Sequence, residues 1–414
     1  MGGGKPAVPA SQVAHGAPKW GAMSGALRRG AGAVGRRIAQ GEVGSLPLIV
    51  GMAVIWIFFQ TQNSNFLTPR NLSNLLLQMT ITGTAAAGIV LVLLLAEIDL
   101  SVGSVVGLSA AIIGVLVENG APWWLALGVA LVVGAVIGAA QGAASHYFGI
   151  PSFVVTLAGM LGWLGVQMMV LGNTGAVNVA EPSMTFLFTT YLPPIVGWIG
   201  GVAVVLAYAG QRLFSNRQRR RLGLNPVPWY RLLVRPAVVG VVLLVSVGVL
   251  NAWLGVPLAV LALLVLITVL HIVLTETTYG RHVFAVGGNV EAARRAGINV
   301  AWIRISIFAL CTLIAALAGF MSVSRSFAAT TETGGGTLLL EAIAAGVIGG
   351  TSMFGGRGTV WSAPLGALVM ASLANGLDLT GESPDIKYVV EMGVLLAAVT
   401  IDSVTRRMRG RSGR

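Results

Sequence analysis

The apolar residues of this chain fall in long unbroken runs, and that patterning constrains its fold more than any other feature. Ala85–Ala96, Leu125–Ala140 and Val238–Leu250 are three of them. A helix needs about 20 mostly apolar residues to cross a hydrocarbon core about 30 Å thick. A transmembrane barrel would alternate with period two, and these continuous runs do not. Twelve candidate spans follow, at 46–60, 78–96, 101–117, 122–144, 151–171, 191–210, 236–253, 256–275, 303–323, 337–353, 359–376 and 386–402. Several are short, and two neighbouring pairs read as broken or re-entrant helices. The expected fold is therefore an all-α polytopic transmembrane bundle of about 10–12 spans. Length alone would suggest two or three soluble domains. A chain 55% hydrophobic, 10% charged and of mean hydropathy +0.84 excludes that, because soluble domains carry about 25% charged residues.

The net charge is +12, and the basic residues lie in short clusters between the apolar runs. With the N terminus in the cytoplasm and twelve crossings, 23 of the 26 Lys and Arg fall on the cytoplasmic side. They precede the first span, lie between Arg212 and Arg235 and between Arg281 and Arg304, sit at Arg357, and follow Arg406. Only Arg70, Arg325 and Lys387 remain for the outer face, the bias that a correct orientation produces. The cluster Arg217–Arg221 reads as a topology anchor beside anionic headgroups, and no nucleic-acid partner is expected. Three regions result: a Gly- and Arg-rich cytoplasmic extension over 1–45, a membrane domain over 46–405, and a basic cytoplasmic tail over 406–414. The membrane domain carries a basic loop at 211–235 and a second cytoplasmic loop at 276–302. No short apolar core with a cleavage site opens the chain, so the first span is expected to be an uncleaved anchor.

The chemistry-bearing residues are sparse. Cys311 stands alone in an apolar stretch and reads as a small buried residue. His15, His146, His271 and His282 are scattered singly, so no metal-ligand spacing appears and no metal site is expected. The Gly-rich stretch Ala344–Thr359 lacks the Gly-x4-Gly-Lys-Ser/Thr pattern of a phosphate-binding loop. The chain is thus not expected to hydrolyse ATP or to be an enzyme. The spacing Gly134-xxx-Gly138-xxx-Gly142 leaves a smooth stripe for close helix packing. Asp99 or Ser101 suits the N-cap of the following span, with a proton- or substrate-binding carboxylate as the functional alternative. Gln167, Asn173, Asn178 and Asn375 are able to hydrogen-bond a sugar hydroxyl or, equally, a backbone group. Asp99, Ser101, Gln167, Asn173 and Asn375 are the candidate translocation-path residues.

The loop Tyr279–Val300 carries the clearest local signal. Asn289 suits an N-cap, Glu291 the first turn, and Gly297 a C-cap glycine. The expectation is a helix of about two turns on the cytoplasmic face. Its Ala292/Ala293 surface is small enough to seat in a partner's groove, with Arg294 and Arg295 free for acidic groups.

This loop resembles the coupling segment of ABC importer permeases, in the ribose/xylose/galactose branch. The matching segments run in order: Phe66–Leu72, Ile98–Gly103, Ile150–Leu157, Gly288–Ile298, Ile348–Ser352 and Gly355–Gly358. Together they cover about 46–405, and the basic insertion at Arg212–Arg235 looks most like the D-xylose permeases. The resemblance implies a monosaccharide permease in the bacterial inner membrane, with both termini cytoplasmic. It implies two permease copies, a separate ABC ATP-binding subunit carrying ATP and Mg, and a periplasmic or lipid-anchored sugar-binding protein. No cofactor is expected on this chain. Asn289, Glu291, Ala292, Ala293, Arg294 and Gly297 are the implied ATPase-coupling residues. A secondary transporter is the alternative and would need coupling acids near mid-membrane.

Overall fold

The computed structural model describes residues 46–412 except Ala180 and Pro226. The N-terminal extension expected over 1–45 lies outside the described residues, as do Gly413 and Arg414. The described residues up to Asp402 make one compact unit.

A helix stands on each of the twelve apolar segments. In chain order they are α1 Leu46–Gln62, α2 Pro69–Leu94, α3 Val102–Glu118, α4 Trp123–Tyr147 and α5 Ser152–Leu171. After the short α6 Pro182–Thr189 come α7 Pro194–Arg221, α8 Trp229–Asn251 and α9 Leu258–Glu276. Two link helices, α10 Thr278–Gly288 and α11 Val290–Arg295, lead into α12 Val300–Ser326. The chain ends with α13 Leu338–Ile348, α14 Ser362–Thr380 and α15 Pro384–Ser412. Seven of these, α2, α4, α5, α7, α8, α9 and α12, are long and apolar enough to cross a membrane. The architecture is an all-α polytopic bundle. At about 1.5 Å per residue, the 11 residues of α13 reach only about half way through a hydrocarbon core. The non-helical stretch 349–361 then carries the chain into α14.

The local reasons are ordinary ones. Thr68 caps α2 by accepting from the Asn71 amide, and Pro69 opens it where no amide donor is needed. Two helices form the centre: α2, whose most apolar stretch is 83% buried, and α12. The stripe Gly134, Gly138 and Gly142 lets α4 lie directly on α12, against Thr312, Ala316 and Phe308. Close packing, the reading made from the sequence, is what these glycines do. α7 and α8 pack on each other at the periphery, and their outward valines and isoleucines are exposed. Such a surface suits lipid.

The basic loop expected over 211–235 takes a different form. Helix α7 runs 28 residues to Arg221, and α8 begins at Trp229, so only 222–228 link them. Arg and Gln are good helix formers, and nothing breaks the helix before Gly223. At about 42 Å, α7 is longer than a hydrocarbon core is thick, and its arginines cluster at its C-terminal end. The basic residues expected in the C-terminal tail are likewise helical as far as Ser412.

Two small antiparallel ribbons stand at the end of the bundle that holds Arg70 and Arg325. β1 (Ala176–Asn178) pairs with β4 (Ala328–Thr330), and β2 (Tyr191–Leu192) with β3 (Val256–Pro257). The opposite end gathers α10, α11 and the 349–361 stretch, with Arg281, Arg294, Arg295 and Arg304.

Candidate functional site

The link between α9 and α12 forms a folded surface at the basic end of the bundle. It holds two helices where one was expected. Thr277 caps α10 by accepting from the Gly280 amide. Asn289 ends α10 and caps α11 in turn, its side chain accepting from the Ala292 amide at 2.9 Å. The far end of α11 is closed as the sequence suggests. Gly297 has φ +81°, and the amides of Gly297 and Ile298 donate to the carbonyls of Arg294 and Ala293. That pair of bonds is the Schellman closure, and a left-handed residue is what it requires.

One of the residues expected to face a partner is turned inward instead. Ala293 is 4% exposed and belongs to the core with Val283 and Val286. A helix this short presents one face to the bundle, and α11 turns Ala293 there, leaving Ala292 alone of the two on the outer surface. The outer face of α11 shows Glu291, Ala292, Arg294 and Arg295, and Arg281, His282 and Arg357 are exposed as well. Glu291 and Arg294 pair across one turn at 2.9 Å, both mostly exposed. The surface is therefore small, basic and rigidly capped.

What holds it to the membrane helices is backbone contact. A Cβ on Gly287 would overlap the Leu94 carbonyl at the end of α2. That same carbonyl accepts from the Gly356 amide at 2.9 Å, and Gly355 lies on the Gly287 carbonyl. The Gly-rich stretch after α13 is thus a seam between backbones. Arg304 at the start of α12 pairs with Glu97 at 2.5 Å. Tyr279 Oη and Ser306 Oγ lie 2.8 Å apart and tie α10 to α12; burial pushes the Tyr279 phenol up.

The path candidates do not converge. Asp99 and Ser101 lie just beyond that seam, both buried. Neither side chain caps α3, contrary to the expected N-cap role. Instead Asp99 Oδ1 accepts from the Ser101 amide (2.8 Å) and hydroxyl (2.6 Å), because the turn folds these two residues onto each other. Gln167 is fully buried toward the other end and donates to the carbonyls of Thr330, Thr331 and Thr333, pinning the segment after β4. Asn375 forms a reciprocal amide pair with Asn71 at 2.7 and 3.1 Å. Asn173 is exposed in a short 3-10 turn, and Asn178 is exposed in β1. Glu341, which the sequence reading passed over, sits on the half-length α13 and accepts from Thr82 and Thr337 at 3.1 and 2.6 Å. An acid inside an apolar segment was the signal available for it. Among the described residues, no group of His, Cys, Asp and Glu is arranged to hold a metal.

Residues 71–399 match the model of a family described as branched-chain amino acid transport system / permease component. Over 362 residues the chain is 39% identical to the xylose transport system permease protein of Escherichia coli K12, covering 87% of this chain and 92% of that one. The Haemophilus influenzae xylose permease is 36% identical over 368 residues, covering 87% and 96%. The E. coli K12 ribose import permease protein is 32% identical over 355 residues, covering 86% and 92%. No solved structure matches the chain.

Proposed function

Because the chain belongs to the branched-chain amino acid transport system / permease component family, we propose that it is the membrane subunit of an ATP-driven ABC importer for a monosaccharide. The observation that carries this reading is the capped helix pair α10–α11. It is a rigid, basic, outward-facing surface joined by bare backbone contact to the end of the central helix α2. A separate ATP-binding subunit with an acidic groove, carrying ATP and Mg, fits that surface. Movement of α10–α11 would pass directly into α2 and the 349–361 stretch, since no flexible side chain lies between to absorb it. The relatives favour D-xylose over ribose as the cargo, by 39% and 36% identity against 32%.

In the working assembly two copies of the chain form the pathway, and a sugar-binding protein delivers cargo from outside. The location that fits is a bacterial inner membrane, with the basic end and both chain termini in the cytoplasm. Hydrolysis takes place on the partner, so this chain itself needs no catalytic group.

The test is a charge swap at the exposed pair. The Arg294→Glu and Glu291→Arg variants should each weaken co-purification of the ATPase and uncouple its ATP hydrolysis from uptake. Normal uptake and normal ATPase binding by both variants would remove α11 from the coupling surface.

A further inference from the structure

At the other end of the bundle lies an open cleft of about 630 Å³, formed where α2 begins, between β2 and the turn after α8. Its size is that of a small-molecule site, about 300–1,000 Å³. We propose that it is an entry subsite for a neutral monosaccharide, a proposal that rests on the reading of the protein as a sugar permease.

Ser73 carries the argument furthest. It lines the cleft at 2% exposure, and its hydroxyl has no hydrogen-bond partner. A buried hydroxyl left unpaired is costly to the fold, and a small shift of the cleft wall on binding lets a ligand hydroxyl supply the missing partner. Not every polar residue in the wall is available. Thr68 is used as the cap of α2, and Asn71 is taken up by Asn375 and the Phe66 carbonyl. The groups left to face a ligand are Asn65, Arg70, Ser73, Asn74, Tyr191 and Trp253.

Their chemistry selects the class. Amides and hydroxyls both donate and accept, which is what a sugar hydroxyl does. Tyr191 and Trp253 offer flat apolar faces with polar edges, suited to the C–H face of a pyranose. No carboxylate lines the cleft, so a cation has no counter-charge there. The single cation, Arg70, lies 5.5 Å over the Trp253 ring, and it forms none of the ion pairs among the described residues. It stiffens the aromatic wall and donates to hydroxyls. The cleft also stands on the face to which the distribution of Lys and Arg assigns the outside, where sugar arrives.

Cysteine labelling tests this in the whole protein, because the one native cysteine, Cys311, is buried. An Asn74→Cys variant places a thiol in the cleft, and Asn119→Cys places one in the exposed turn after α3, away from it. D-xylose should slow maleimide labelling at Asn74→Cys severalfold and leave Asn119→Cys unchanged; inorganic phosphate should protect neither. Adding Trp253→Leu to Asn74→Cys should raise the xylose concentration for half-protection about tenfold. Uptake of xylose by the unmodified protein with its ATPase and binding protein is measured alongside. If uptake occurs and xylose gives no protection, the subsite is overturned and the importer reading stands. Protection by phosphate in place of xylose overturns the neutral-sugar assignment. Failure of uptake in the unmodified protein overturns the importer reading itself, whatever the labelling shows.

Discussion

Asn375 shows how much a single residue discloses from sequence alone. An amide in an apolar segment demands a partner, and that demand is legible; Asn71, 304 positions away, is not, because periodicity speaks only of neighbours along the chain. The same holds for Gln167, whose acceptors lie 163 to 166 residues further on. The Asn pair makes a measurable prediction. Asn375→Ala leaves Asn71 buried and short of its partner, at a cost of about 1–3 kcal/mol. The double variant Asn71→Ala with Asn375→Ala should then cost less than the two single losses combined. Thermal unfolding of the purified protein in detergent measures all three, and strict additivity would contradict the pairing. Gly287 gives the sharper case. Any Cβ there meets the Leu94 carbonyl, so Gly287→Ala should lower stability by about 1–3 kcal/mol, whereas Gly288→Ala, with nothing near its Cβ position, should not.

Among the elements, α11 was the most legible. Its cap, its acidic first turn and its closing glycine all lie within nine residues, where local rules hold. Two things about it were not. α10 carries no strong helix signal, since it contains three glycines and a histidine; it forms because Val283 and Val286 bury against the bundle. The inward turn of Ala293 depends on which face α11 offers the core, and two adjacent alanines do not reveal that. The helical form of Arg212–Arg221 was not legible for a related reason: a cluster of charge suggests the end of a span, but a helix does not stop there unless its residues stop it. Predictions at this scale concern the ends of α11. Asn289→Ala should cost the helix about 1 kcal/mol, and Gly297→Ala about 1–2 kcal/mol through its left-handed backbone. Both should reduce ATP-driven uptake and ATPase co-purification together while leaving the membrane bundle folded, as judged by its thermal transition. Loss of uptake with undisturbed ATPase binding would place the function of α11 elsewhere.

At the scale of the whole molecule, the long apolar runs were enough to read a multi-pass helical bundle. They did not reveal how the helices are arranged. The central place of α2 and α12, the half-length α13 and the glycine seam follow from packing between distant segments. The three polar sites, Asp99–Ser101, Gln167 and Asn71–Asn375, share no hydrogen bond with one another; the asparagine pair is mutually satisfied, whereas Asp99 Oδ2 and Gln167 Oε1 are buried without a partner. The measurement that tests the importer reading most directly is uptake of labelled D-xylose into proteoliposomes, with the chain alone or with its ATPase, internal ATP and external binding protein. Uptake only in the complete system, reduced by competing ribose less than by unlabelled xylose, is the predicted result. Accumulation by the chain alone, driven by an ion gradient, would contradict the account and identify a secondary carrier.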